Sequence, residues 1–135
     1  MKARVLLIGT LGLLFARPAS AQIPNGGFEN WTTVGTYQDP TDWITLNELP
    51  SVEGVPLSCE QGTPGAVGNH YAKVTVRNTP DAGLLPGLIG VGSMNPEYSG
   101  FAYASRPGAF TGQWQYNILA GDSGFAAVEL SKWNT

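Results

Sequence analysis

The sequence predicts an all-β domain, and three observations support this class. The chain of 135 residues contains 18 Gly and 10 Pro, about a fifth of its length, where average usage is roughly 12%. Both residue types oppose helix interiors, whereas a turn-rich β domain tolerates them. Hydrophobic residues make up 42% of the chain, which excludes a charged disordered tail. Finally, short runs with a period of two recur between Gly, Pro and Asn residues.

Residues 1–21 show the three-part pattern of a secretory signal peptide. Lys2 and Arg4 form a basic start, an apolar stretch continues to Phe15, and residues 19–21 (Ala-Ser-Ala) fit a cleavage site. The apolar stretch is shorter than the roughly 20 residues that a membrane-spanning helix requires. We therefore expect an exported protein, extracellular, on the cell surface or periplasmic, with no membrane span after signal removal.

The charge of the mature chain narrows the choice of partner. Cleavage after Ala21 leaves 114 residues with four basic and ten acidic side chains, a formal charge of −6. Nucleic-acid binding is disfavoured, because phosphate backbones require basic surfaces. Cys59 is the single cysteine, so an intramolecular disulfide and a cysteine-based zinc site are excluded. We expect this thiol to be a small buried hydrophobic group.

Strand patterns recur along the mature chain. The clearest covers residues 70–77, in which Ala72, Val74 and Val76 alternate with polar residues, as in an antiparallel sheet with one wet face. The same alternation predicts two strands near the C-terminus. Those two cover residues 112–118 and 125–133, and weaker patterns cover residues 28–33, 43–46, 57–60 and 84–91, the last as an edge strand.

Several segments resemble a known family. Residues 23–31 (IPNGGFENW), followed by residues 40–43 (PTDW), resemble the opening of galactose-binding-like β-sandwich domains in secreted carbohydrate-binding modules. Residues 59–68 (CEQGTPGAVG) and 110–116 (FTGQWQY) resemble exported Bacteroidetes proteins that carry a carbohydrate-binding or carbohydrate-metabolism sandwich. The resemblance implies a jelly-roll or galactose-binding-like β-sandwich over residues 22–135. A sandwich usually needs about seven or more strands, so we expect this one to be truncated at its C-terminal edge.

The resemblance implies non-catalytic glycan binding. Sugars present C–H faces to aromatic rings and hydroxyl groups to amide and charged side chains. Tyr71, Lys73 and Arg77 share the polar face of one predicted strand, and Gln113 and Gln115 share that of another. If these two faces adjoin, they form a carbohydrate-binding surface; the alternative is a solvated sheet face.

The sequence also predicts the roles of two tryptophans and one carboxylate. Trp31 and Trp43 each open a predicted strand, and we expect both to pack in the core rather than to serve as sugar platforms. In related sugar-binding sandwiches a carboxylate near the first turn joins backbone carbonyls around a structural calcium ion. Glu29 is the candidate for that metal site, and the alternative is a surface or capping carboxylate.

Two other functions remain open at this stage. One is a structural or adhesion domain of an envelope-exported protein without a sugar site. The other is a small glycan-active hydrolase, which needs two carboxylates facing each other across a cleft. No motif pairs the ten acidic residues, and His70, the single histidine, has no G-x-S-x-G elbow as partner. We therefore expect no catalytic residue, and no cofactor apart from the possible calcium.

Overall fold

The computed structural model describes residues 23–92 and 100–132, so the predicted signal peptide lies outside the described residues. Within these ranges the regular elements are eight short strands and one six-residue helix, which agrees with the all-β class. The elements are, in chain order, β1 (Trp31–Val34), β2 (Tyr37–Pro40), β3 (Trp43–Thr45), α1 (Glu48–Glu53), β4 (Cys59–Gly62), β5 (Tyr71–Val74), β6 (Arg77–Thr79), β7 (Gly83–Leu85) and β8 (Ile89–Val91).

The described strands form two-stranded antiparallel sheets. β1 pairs with β2, β4 with β5, and β6 with β7. The fourth pair joins β3 to β8, with Trp43 opposite Val91 and Thr45 opposite Ile89. This long-range pair returns the chain to its N-terminal half. A larger sandwich sheet is not formed within the described ranges.

The sequence predicts neither β2 nor α1. β2 follows β1 after the two-residue turn Gly35-Thr36, with Gly35 in the left-handed region at φ 59°. α1 ends at Glu53, and the next residue, Gly54, has φ 69° and lets the backbone N–H of Val55 donate to the Pro50 carbonyl at 3.0 Å. This is a Schellman-type ending. The hydroxyls of Thr36 and Ser51 then join the hairpin turn to α1 at 2.5 Å.

The strand predicted over residues 70–77 is divided in two. β5 pairs with β4 and ends at Val74, whereas β6 starts at Arg77 and pairs with β7. Between them the backbone N–H of Thr75 donates to the Ser58 carbonyl at 2.8 Å. The single strand was wrong because the pairing with β4 ends at Val74 and the chain pairs with β7 from Arg77 onward. Alternation along one segment does not show where a strand changes its partner.

The two strands predicted near the C-terminus do not form in the described residues. Residues 100–132 carry no strand, and the tail of the second prediction, from residue 133, lies outside the description. Trp114 and Tyr116 are 65% and 82% exposed. Strands are stable only when paired, and within the described ranges these residues pair with no strand. Alternation therefore indicated residues that can form a strand, but it did not show whether a second strand is present to pair with them.

The best-buried part of the chain lies where β2, β3, α1 and β4 meet. Cys59 is fully buried there, as expected for its thiol. The centre is nevertheless polar. The Asn47 side chain is fully buried and donates from Nδ2 to Asp39 Oδ1 at 3.0 Å and to the Cys59 carbonyl at 2.8 Å. Its Oδ1 accepts from the Cys59 N–H at 2.8 Å and from the Ser58 hydroxyl at 3.2 Å.

Candidate functional site

An open groove of about 540 Å³ lies between the β1–β2 hairpin and β4. Its lining combines two aromatic rings with amide, hydroxyl and carboxylate groups. This mixture suits a ligand that has both apolar and hydrogen-bonding surfaces. The lining residues are Trp31, Thr33, Gly35, Thr36, Tyr37, Gln38, Leu57, Cys59, Glu60 and Gln61.

The two aromatic residues of the groove are half-buried and held by local structure. The indole N–H of Trp31 donates to the Phe28 carbonyl at 2.8 Å, which fixes the ring at the start of β1. Tyr37 follows the hairpin turn. Burial, together with the carboxylates of Asp39 and Glu48, raises the pKa of Tyr37. Its phenol therefore stays neutral at physiological pH and can donate a hydrogen bond.

Glu60 connects this groove to two of the residues predicted from the sequence. Its Oε2 accepts a hydrogen bond from Arg77 Nη2 at 2.8 Å and lies 3.8 Å from Lys73 Nζ. Arg77 Nε also donates to the Leu57 carbonyl at 2.7 Å. Leu57 and Glu60 both line the groove. The Arg77 guanidinium therefore links two residues of the groove wall by hydrogen bonds.

The other predicted carbohydrate-binding residues do not join this pair. Tyr71 lies opposite Gly62 in the β4–β5 register, and its ring occupies the space that a Cβ atom on Gly62 would need. Gln113 and Gln115 lie in the exposed irregular segment of residues 100–132. In the described ranges no hydrogen bond links these amides to β5 or β6, and the shared surface of the two predicted faces stays a prediction.

Glu29 stabilises a loop. Its Oε1 accepts from the backbone N–H groups of Asn69 at 2.8 Å and His70 at 3.0 Å. The His70 bond is the main reason why the pKa of Glu29 is lowered. In the part of the chain that the structure describes, no three His, Cys, Asp or Glu side chains lie close enough to hold a metal ion.

The carbonyls near Glu29 are also engaged. Those of Ile23, Asn25 and Asn30 each accept a backbone N–H group. Calcium requires six to eight oxygen ligands, and this geometry leaves few of them free. The residues fit a loop cap better than a calcium ion, and the structural calcium at Glu29 stays a prediction.

Replacing Glu29 by Gln should remove a pH-dependent part of the stability. Because the folded pKa of Glu29 is lowered, its contribution is present above the ordinary value of 4.5 and is lost as pH falls through the folded value. Thermal melting of both proteins between about pH 7 and pH 3 should show a higher melting temperature for the wild type at neutral pH. The difference should close in acid, and a constant difference would contradict this role.

Cys59 is fully buried behind the groove wall, and its thiol is unreactive. Burial, with the carboxylates of Asp39 and Glu60 adding to it, raises the pKa of this thiol to about 12. The thiolate is the reactive form of cysteine, so Cys59 acts as a packing group at neutral pH.

A second open groove, of about 440 Å³, has a less polar lining. Its lining is mainly apolar or backbone, with one carboxylate, and consists of Pro24, Asp42, Trp43, Val91, Gly92, Gly100 and Phe101. The indole N–H of Trp43 donates to the Pro24 carbonyl at 2.9 Å, and its ring lies 4.9 Å from that of Phe28. Trp43 therefore packs against Phe28, as expected from the sequence. The groove between the β1–β2 hairpin and β4 is the better candidate for a binding site, because its lining is more polar.

Comparisons with known proteins do not assign this chain to a family. No protein-family model, curated protein or solved structure matches it. Among the residues that the structure describes, no helix is long and apolar enough to cross a membrane. The assignment of a function therefore depends on the groove.

Sequence patterns did not identify most of the groove residues. Trp31 was expected in the core, and Glu60 was one of ten acidic residues without a motif. The available signal was the run of residues 31–38 (WTTVGTYQ), in which Gly-Thr separates two short segments that each carry an aromatic residue. Gly in a two-residue loop between such segments is typical of a hairpin.

Proposed function

We propose that this protein is an exported, non-catalytic glycan-binding module and that the groove between the β1–β2 hairpin and β4 is its binding site. The observation that carries the proposal is the grouping of Trp31 and Tyr37 with Gln38, Gln61 and Glu60 in one open groove. Aromatic rings cover the C–H faces of a pyranose, while amide and carboxylate groups bond its hydroxyls. An open groove also accommodates an internal part of a long chain.

The proposal includes a jelly-roll or galactose-binding-like sandwich as the fold of residues 22–135. The antiparallel pairing of the described strands, and the return of β8 to β3, agree with such a topology. The signal pattern of residues 1–21 supports export, and the acidic composition of the mature chain disfavours nucleic acid as partner.

The groove composition favours binding over hydrolysis. Hydrolysis of a glycoside needs two carboxyl groups about 5–9.5 Å apart. Glu60 is the one carboxylate in the groove lining, and it is paired with two cations. Nearby Asp39 accepts at Oδ1 from the Thr45 hydroxyl at 2.7 Å and from Asn47 at 3.0 Å, so it holds the fold together.

A structural or adhesion domain without a sugar site is the second candidate. The observation that favours it is the use of Arg77 in bonds to Leu57 and Glu60, with Gln113 and Gln115 in a separate segment. On this second hypothesis the groove is a by-product of hairpin packing. Glycan binding by the groove therefore discriminates between the two.

Replacing Trp31 or Gln61 by Ala should weaken glycan binding to different degrees. For W31A we expect about a tenfold or greater loss of affinity, because aromatic anchors dominate binding sites. For Q61A we expect about a threefold loss, the effect of one neutral hydrogen bond. Gln61 is exposed on β4, so this variant keeps the strand pairing even if W31A is poorly folded. Affinity electrophoresis in gels that contain galactomannan, xyloglucan or mixed-linkage glucan measures these changes.

The matched control is W114A, which removes an exposed indole outside the groove. It should migrate like the wild type in every gel. Absence of wild-type retardation on all three polysaccharides contradicts glycan binding, and equal losses in W31A and W114A contradict the assignment to this groove.

A further inference from the structure

We propose that the groove selects uncharged glycans over anionic ones and that Glu60 is the residue that determines this selectivity. The inference rests on the proposed function and specifies its ligand class. It follows from how the charges around the groove are arranged: a carboxylate lines it, while the two cations that pair with this carboxylate are not among the lining residues.

The two oxygens of Glu60 have different roles. Oε2 is used by Arg77 at 2.8 Å and by Lys73 at 3.8 Å. Within the described residues Oε1 has no hydrogen-bond partner, so it is available to accept a bond from a ligand hydroxyl. An ionised carboxylate only accepts. Glu60 therefore favours ligand groups that donate and repels carboxylate or sulfate groups.

The cations near Glu60 do not line the groove. The Arg77 side chain is 21% exposed, and its Nε and one N–H of Nη2 donate to Leu57 and Glu60. Lys73 is more exposed, but its ammonium lies against the same Oε2. Two further carboxylates, those of Asp39 and Glu48, act on Tyr37 inside the groove. Among the residues that line the groove, the charged side chain is therefore the carboxylate of Glu60.

Replacing Glu60 by Gln tests this assignment directly. The amide keeps the size of the side chain and can still accept from Arg77, but Arg77 and Lys73 lose their counter-charge. On galactomannan we expect a change in affinity of no more than about fivefold, since one neutral hydrogen bond replaces a charged one. On polygalacturonate, to which the wild type should bind at least ten times more weakly, E60Q should gain affinity about fivefold or more at low salt. About 1 M salt, with a Debye length of about 3 Å, should abolish the gain.

The matched control is D81N, which changes the net charge by the same amount at an exposed turn between β6 and β7, away from the groove lining. It should behave like the wild type in both gels. Wild-type binding to polygalacturonate as strong as to galactomannan, or an equal gain in D81N, overturns the selectivity while glycan binding stands. Absence of wild-type retardation in every neutral and anionic gel overturns the proposed function itself, and the selectivity with it.

Discussion

Replacement of Asn47 by Ala is expected to lower the free energy of unfolding by about 4 kcal/mol, because it leaves several buried polar groups without partners. The N–H and carbonyl of Cys59, the hydroxyl of Ser58 and Oδ1 of Asp39 all bond to this one amide. Asn47 is fully buried, so water does not replace the lost bonds. Urea unfolding should show a lower midpoint with an unchanged slope.

Two further variants test whether the loss of stability comes from the buried hydrogen bonds of Asn47. N78A removes an exposed amide from β6 and should change stability by less than about 0.5 kcal/mol. N47D exchanges a donor for a carboxylate that faces Asp39 Oδ1 and the Cys59 carbonyl, so it should be at least as unstable as N47A at neutral pH. It should recover in part below about pH 4, where protonation restores a donor. A midpoint of N47A equal to that of N78A would show that Asn47 does not hold β2, β3, α1 and β4 together.

Replacement of Gly87 by Ala is expected to destabilise the chain by about 3 kcal/mol through overpacking. A Cβ atom at this position would lie 2.5 Å from the backbone nitrogen of Thr75 and 2.9 Å from the carbonyl carbon of Val74. Both contacts are to backbone, which cannot rotate away as a flexible side chain can. Displacing Thr75 would also break its bond to the Ser58 carbonyl at 2.8 Å.

The control for this substitution is G108A. A Cβ atom on Gly108 meets no atom within 4 Å, and its backbone does not require glycine. Chemical denaturation should therefore place G108A close to the wild type and G87A well below it. Equal midpoints for the two variants would exclude the close backbone approach between the β7–β8 connection and the end of β5.

The all-β class was predictable because its signals are local. Alternation around Ala72 and Val74 located β5, although it predicted a strand that continues beyond Val74. β2 was missed because Asp39 and Pro40 are typical turn residues, yet here they pair with Thr32 and Trp31 at the end of a short hairpin. α1 was missed because six residues are too few for a helical pattern to be recognised.

The candidate site was predictable only in part. Lys73 and Arg77 were identified together from one polar strand face, and the structure does bring them together, although at Glu60 rather than at an open surface. Gln113 and Gln115 showed an equally clear alternation but lie in an exposed segment that forms no strand within the described residues. Periodicity places side chains on faces of a strand, but it does not say which strands adjoin.

By itself, the sequence determined the class of this protein: a turn-rich, acidic β chain with strand-forming alternation and the pattern of an export signal. These properties depend on composition and on neighbours a few residues apart. Only the tertiary structure decided which side chains meet. The Asn47 amide bonds to Cys59, twelve residues away, and Glu60 meets Arg77, seventeen residues away, at the wall of a groove that includes Trp31 and Tyr37. Such contacts depend on chain reversal and strand partners, which local patterns do not encode.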